Sequence, residues 1–153
     1  MQKIVPNLWF EDQAEEAVEF YASIFKESVV KNVARFGKNA HGEKGKVMTI
    51  SFELNGQEFI ALNGRTHFTF NPAISLSISC ETQDEIDHYW HQLSDGGKPG
   101  QCGWLEDKFG VSWQVVPTIL GKLMQDSDPE KVKRMTEALL KMKKLDIEQL
   151  ITA

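Results

Sequence analysis

The sequence predicts an α+β chain made of two repeated βαβββ modules followed by C-terminal helices, and three observations predict it. Apolar and polar residues alternate over Ile4 to Phe10 and again over Ile74 to Cys80, the period of a strand with one buried face. Each run leads into a stretch whose apolar residues recur every three or four positions, as on a helix lying against a sheet. The two halves also align. A shift of 70 residues places Ile4 on Ile74, Leu8 on Ile78, Asp12 on Thr82 and Glu15 on Glu85. A shift of 54 places Asn55-Gly56 through Leu62 on Phe109-Gly110 through Val116, with the elements in the same order, as in a duplication.

In the first module Ile4, Pro6, Leu8 and Phe10 point one way and Val5, Asn7 and Trp9 the other. Asp12 with Glu15 reads as a capping box, and Ala14, Ala17, Val18, Tyr21, Ile24 and Phe25 form one helical stripe. A strand follows over Val29 to Phe36, then a polar loop from Gly37 to Gly45 in which His41 reads as solvated. Val47 to Leu54 alternates, with Met48, Ile50, Phe52 and Leu54 opposite Val47, Thr49, Ser51 and Glu53. Asn55-Gly56 is the strongest short hairpin signal, and Phe59 to Leu62 is the returning strand.

The second module repeats the plan. Ile74, Leu76, Ile78 and Cys80 face one way and Ser75, Ser77 and Ser79 the other; Thr82 and Glu85 form a second capping box; Ile86, Tyr89, Trp90 and Leu93 form the second helical stripe. His88 and His91 fall off that stripe and read as exposed. Gly96-Gly97 ends the helix, and Lys98 to Cys102, Gly103 to Asp107 and Val111 to Val116 supply three strands. Helices then follow over Thr118 to Met124, from Asp128-Pro129 onward with Val132, Met135, Ala138, Leu139 and Met142 on one face, and from Asp146 to Ile151. The last of these is expected to pack on the domain or on a partner subunit. Lys141, Lys143 and Lys144 complement a helix C-terminus. The organisation is a single domain, residues 1–153, with module 1 over about 1–64, module 2 over about 72–117 and a helical tail over about 118–153.

Composition bounds the function. At 153 residues the chain can bury roughly 70% of its unfolded surface and needs no staples. A net charge of -5 argues against nucleic acid as a partner. No apolar run approaches the ~18 residues of a membrane span, and no leader is read at Met1, so the expectation is a cytoplasmic protein with no membrane partner. Two cysteines, Cys80 and Cys102, are too few for a disulfide framework or a thiolate metal site.

Two consecutive βαβββ modules resemble the vicinal oxygen chelate fold shared by glyoxalase I, extradiol dioxygenases and bleomycin-resistance proteins. The segments Asn7-Leu8-Trp9-Phe10, Ala17 to Tyr21, Phe70-Asn71-Pro72-Ala73-Ile74-Ser75 and Gly103 to Pro117, with Met142-Lys143-Lys144 in the tail, are similar to the PhnB-like branch. Members of that branch are often labelled 3-demethylubiquinone-9 3-methyltransferase-like. The resemblance implies a curled mixed sheet around a cavity, a homodimer, and metal ligands on the first and last strands of each module.

Carried over by position, those ligands are Val5, Ile60, Ser75 and Gln114. Valine and isoleucine offer no donor atom, and a one-residue shift to Pro6 or Ala61 repairs nothing, whereas a divalent metal wants His, carboxylate or thiolate. No metal or other cofactor is therefore expected, with a divalent metal at a site using an unexpected position such as Glu53 as the alternative. Gly96, Gly97, Gly100 and Gly103 follow a helix and lead into strands, which is not the strand-to-helix glycine turn of a nucleotide site.

What remains for the cavity lining is Asn7, Trp9, Thr49, Ser51, Ser75, Ser77, Ser112 and Gln114, an aromatic wall with neutral hydrogen-bonding groups and no nucleophile-base pair. Three readings stand. One is a metal-free homodimer holding a small organic ligand. A second is a metal- or cofactor-dependent enzyme, namely a glyoxalase-type lyase, a dioxygenase or the labelled methyltransferase. The third is a remnant whose polar lining only satisfies itself.

Overall fold

The computed structural model describes residues 2–38 and 43–153, so His41 lies outside the described residues. The chain divides into two compact units, Met1–Thr69 and Phe70–Ala153.

In the first unit, β1 (Asn7–Phe10) leads to α1 (Ala14–Ile24), then β2 (Ser28–Arg35), β3 (Val47–Leu54) and β4 (Gln57–Asn63). The sheet order is β1-β4-β3-β2, with β1 and β4 parallel and the other neighbours antiparallel. The alternation works as the sequence implies. Leu8 and Phe10, Ile50, Phe52 and Leu54, and Phe59 and Ala61 are buried, and α1 covers them with Ala14, Ala17, Val18, Tyr21 and Ile24. The hairpin at Asn55-Gly56 has positive φ at both residues, 47° and 83°, the geometry of a type I′ turn.

The second unit repeats this order. β5 (Ser75–Cys80), α2 (Gln83–Ser94), β6 (Lys98–Pro99), β7 (Trp104–Glu106) and β8 (Ser112–Pro117) give a sheet of order β5-β8-β7-β6, again with one parallel pair, β5 and β8. The register repeats too. Asn7 faces Ile60 in β1·β4, and Ser77 faces Gln114 in β5·β8, at positions equated by the shifts of 70 and 54. The tail adds α3 (Leu120–Met124), α4 (Pro129–Leu140) and α5 (Ile147–Thr152). Met135, Leu145 and Leu150 are buried together, with Val116 of β8 packed against them, so the tail belongs to the second unit.

Several expectations are corrected. Ile4 and Ile74 are 88% and 78% exposed rather than covered by helices. β1 begins only after Pro6, which has no N–H to give a ladder; its carbonyl accepts from Ile60 N at 3.0 Å instead. Asp12 does not cap α1. Asn63, at the end of β4, does so from a distance in sequence, its Oδ1 accepting from Ala14 N at 2.9 Å. Val47 is buried and Met48 half-buried, the reverse of strict alternation, because the β2·β3 register jumps from Ala34↔Thr49 to Arg35↔Val47 and leaves Met48 in a bulge. The strand expected over Lys98 to Cys102 is only two residues long. Cys102 N and Gly103 N leave the ladder to donate to Met142 O and Lys143 O, both at 2.8 Å.

Candidate functional site

In each unit one sheet face is covered by its helix, and the opposite face, free of that helix, carries the polar side chains; in the second unit the tail meets this face at Val116. Cross-strand rows define those faces. In the first unit one row is Trp9, Leu62 and Thr49, and the next is Asn7, Ile60 and Ser51. In the second unit the rows are Ser75, Ser112 and Glu106, then Ser77, Gln114 and Trp104. All eight residues singled out in the sequence therefore lie on helix-free faces, Asn7, Trp9, Thr49 and Ser51 together on one sheet and Ser75, Ser77, Ser112 and Gln114 together on the other.

Their polar atoms are partly committed. Gln114 Nε2 donates to Ser75 Oγ at 2.9 Å, which orients the glutamine amide along β5. Asn7 Nδ2 donates to Val5 O at 2.9 Å, and Trp9 Nε1 donates to Gly64 O at 3.1 Å. Gln114 is half-buried and Ser112 is buried. Of the four positions equated with metal ligands, Val5 and Ile60 bring hydrocarbon and Ser75 and Gln114 are bonded to each other. Among the described residues no three His, Cys, Asp or Glu side chains lie together where they could hold a metal ion.

Glu53 and Glu58 stand opposite each other on β3 and β4, but Lys31 fills the place between them, its Nζ 2.7 Å from Glu53 and 2.9 Å from Glu58. The hydrogen bonds from Lys31 hold the Glu58 carboxyl below its ordinary pKa, and those to Glu53 and Glu58 raise the lysine's. The turns from strand to helix, Glu11-Asp12-Gln13 and Glu81-Thr82, contain no glycine, so neither is built to admit a nucleotide-like group against a helix N-terminus.

Three residues that hold the candidate faces in place are absent from the sequence reading. Asp107 is 2% exposed; its Oδ1 accepts from Phe109 N at 2.9 Å and Val111 N at 3.0 Å, and its Oδ2 accepts from Trp113 Nε1 at 2.9 Å. One carboxylate thereby fixes both the Phe109-Gly110 turn and the strand bearing Gln114. The signal was an acidic residue before a Phe-Gly turn with tryptophan six positions on. Gln83 ties α2 to the tail, donating to Leu145 O at 3.0 Å and accepting from Ile147 N at 2.9 Å. Asn63 caps α1 and also donates to Val47 O at 3.1 Å. The last two join elements far apart in sequence, which no local pattern announces. Lys144 is likewise not a dipole complement: it pairs with Asp87 of α2 at 2.8 Å, and its hydrogen bond, followed by that of Gln83, lowers the aspartate's pKa.

Two four-stranded mixed sheets, each in βαβββ order with a helix on one face, define a protein of the vicinal oxygen chelate class. The family model described as 3-demethylubiquinone-9 3-methyltransferase matches residues 2–116, and the chain belongs to that PhnB-like family. Its fold is similar to a PhnB protein from Bacillus cereus that bears the same methyltransferase label, at 42% identity and a TM-score of 0.70 over 76% of this chain and 100% of that one. It is also similar to PA1353 from Pseudomonas aeruginosa, at 20% identity and a TM-score of 0.66 over 76% and 98% of the two chains. The fosfomycin resistance protein FosX from Listeria monocytogenes, solved with Mn(II) and sulfate, matches at 12% identity and a TM-score of 0.53 over 75% and 92%. No curated protein matches the sequence. Among the described residues no helix is long and apolar enough to cross a membrane.

Proposed function

We propose that this PhnB-like protein binds a small organic molecule on its helix-free sheet faces, without a metal and through neutral hydrogen bonds. The observation that carries this reading is the Gln114–Ser75 pair at 2.9 Å. Where the superfamily resemblance puts metal ligands, the second unit holds an amide bonded to a hydroxyl. Such a pair has further donor and acceptor capacity for a ligand's neutral polar groups and little affinity for a divalent cation. Ser77 and Ser112 extend the polar lining on the same face, and Asn7, Thr49 and Ser51, beside Trp9, offer its counterpart in the first unit. Apolar surface with a few oriented polar groups is the usual make-up of a small-molecule site.

Metal analysis of protein purified without chelator, with thermal shifts against Ni, Zn, Fe and Mn, tests the metal-free part. Substoichiometric metal and no metal-dependent shift are expected. Stoichiometric metal that is lost in Gln114→Ala would overturn the reading in favour of a metal-dependent lyase or dioxygenase. Native mass spectrometry tests the ligand part: a retained small molecule is expected in the wild type and reduced occupancy in Gln114→Ala.

The reading includes a cytoplasmic homodimer. The dimer is supported by β2, a sheet edge on which Val29, Val30 and Val33 are all exposed. Sedimentation equilibrium giving a monomer at micromolar concentration would remove the dimer without touching the ligand.

A further inference from the structure

The first unit's helix-free face differs in kind from the second's, and the difference names a ligand chemistry. Trp9 is 41% exposed and Phe68, in the loop after β4, is 74% exposed, yet their rings are in contact, with centroids 5.8 Å apart and planes tilted by 60°. Both are anchored. The indole N–H is committed to Gly64 O, and the Phe68 amide donates to Thr66 Oγ1 at 2.9 Å. With its one donor committed, Trp9 presents hydrocarbon and π surface and no hydrogen bond.

The geometry narrows the occupant further. Centroids this close belong to a pair in direct contact, so no third ring fits between them. The tilt instead makes a corner, in which a guest can stack on one ring while meeting the other edge-on. Leu62 and Ile60, the central members of the two rows, give the same face an apolar floor, and Asn7 and Thr49 flank it. Two rings and two aliphatic side chains bordered by neutral polar groups suit a small apolar guest with polar substituents at its rim.

We propose that the corner formed by Trp9 and Phe68 selects a flat, conjugated ring compound, with Phe68 as a specificity-determining residue. This rests on the small-molecule reading above and specifies its ligand class.

The test uses two probes with one carbon skeleton and one hydroxyl, planar 2-naphthol and its saturated, puckered counterpart decahydro-2-naphthol. Each is titrated into the 15N-labelled full chain, with the Trp9 indole signal assigned from Trp9→Phe. The expected result is saturable shifts at Trp9 and Phe68 with 2-naphthol and binding of the saturated probe at least about tenfold weaker. Phe68→Ala is expected to weaken 2-naphthol by about three- to tenfold, the range of an aromatic pair contact, and Phe68→Tyr to restore it. Phe68 is exposed, so its removal leaves the core intact.

Equal affinity for the two probes, unchanged by Phe68→Ala, with shifts at Asn7, Thr49 and Ser51, would overturn the ring preference and leave the small-molecule reading standing. No saturable shift on either sheet face with either probe would overturn both.

Discussion

Asn7 stands opposite Ile60 in the first unit, and Ser77 stands opposite Gln114 at the equivalent place in the second. The helix-side positions of the two ladders are interchangeable in kind. Leu8 and Ile78, Phe10 and Cys80, Phe59 and Trp113, and Ala61 and Val115 are all buried. Across the sheet the match ends. Trp9 is answered by Ser79, and Ile60 by Gln114. A face packed under a helix must stay apolar to offset the entropy of ordering the chain, so two copies of one module keep it alike. The opposite face is not held to that requirement, and the two copies have diverged there, Trp9 and Ile60 in one standing where Ser79 and Gln114 stand in the other.

The helices show the same freedom. α1 buries Ala14, Val18 and Tyr21, whereas α2 buries Ile86, Trp90 and Leu93, a shift of 72 against the 70 of the strands. Asn63 reaches from β4 to bond Ala14 N and draws the first turn of α1 onto its sheet. α2 is capped locally, Thr82 Oγ1 accepting from Glu85 N at 3.2 Å, and its apolar face begins almost a turn later.

The two hairpin turns should differ most in what they cost to disturb. Asp107→Asn places an NH2 group against either Trp113 Nε1 or the two backbone amides, and should destabilise the protein by about 3 kcal/mol in chemical denaturation. Gly56→Ala, at φ 83° in the equivalent turn of the first unit, should cost about 1 kcal/mol. Equal losses would mean that the second turn does not depend on its carboxylate.

Next in size is Gly103→Ala. The residue has φ 83°, and a Cβ there would lie 2.8 Å from Val115 O and 3.1 Å from Leu145, so about 2 kcal/mol should be lost. Both cysteines lie in the second unit, so thiol labelling reports on that unit alone. Cys80 is buried with its pKa pushed up to about 12 by desolvation, and it should resist labelling at pH 8 in the wild type and label measurably faster in Gly103→Ala.

Asn63→Ala should then cost about 1–2 kcal/mol and Thr82→Ala about 1 kcal/mol, because the first loses a bond to Val47 as well as a cap.

The smallest effect is electrostatic. The pKa of Asp87 is lowered by Lys144, so the pair stabilises the fold above the unfolded carboxylate pKa and is lost as pH falls through the folded value. A Tm difference between wild type and Asp87→Asn of a few degrees or less should exist at pH 7 and vanish once the pH has fallen below the lowered carboxyl pKa, as expected of a surface pair. A difference that persists in acid would assign the effect to the Gln83 hydrogen bond instead.

Local sequence specified the order of elements, the alternation that selects each sheet's buried face, the Asn55-Gly56 turn, the cap at Thr82 and the helix starts at Asp128 and Asp146. All of these rest on interactions within a few residues, which a local pattern can encode. It also separated the helix-free face, since alternation that buries Leu8 and Ile78 must turn Trp9 and Ser77 the other way. Which side chains met across tens of residues followed from the folded arrangement alone. Asn63 displaced Asp12 as the cap of α1, Lys31 came to lie between Glu53 and Glu58, Gln83 and Lys144 tied the tail to α2, and Phe68 left an unremarkable loop to meet Trp9. Each is a contact between groups whose proximity exists only after the sheets have formed, and so the frame of the candidate faces was legible in the chain while much of what fastens them was not.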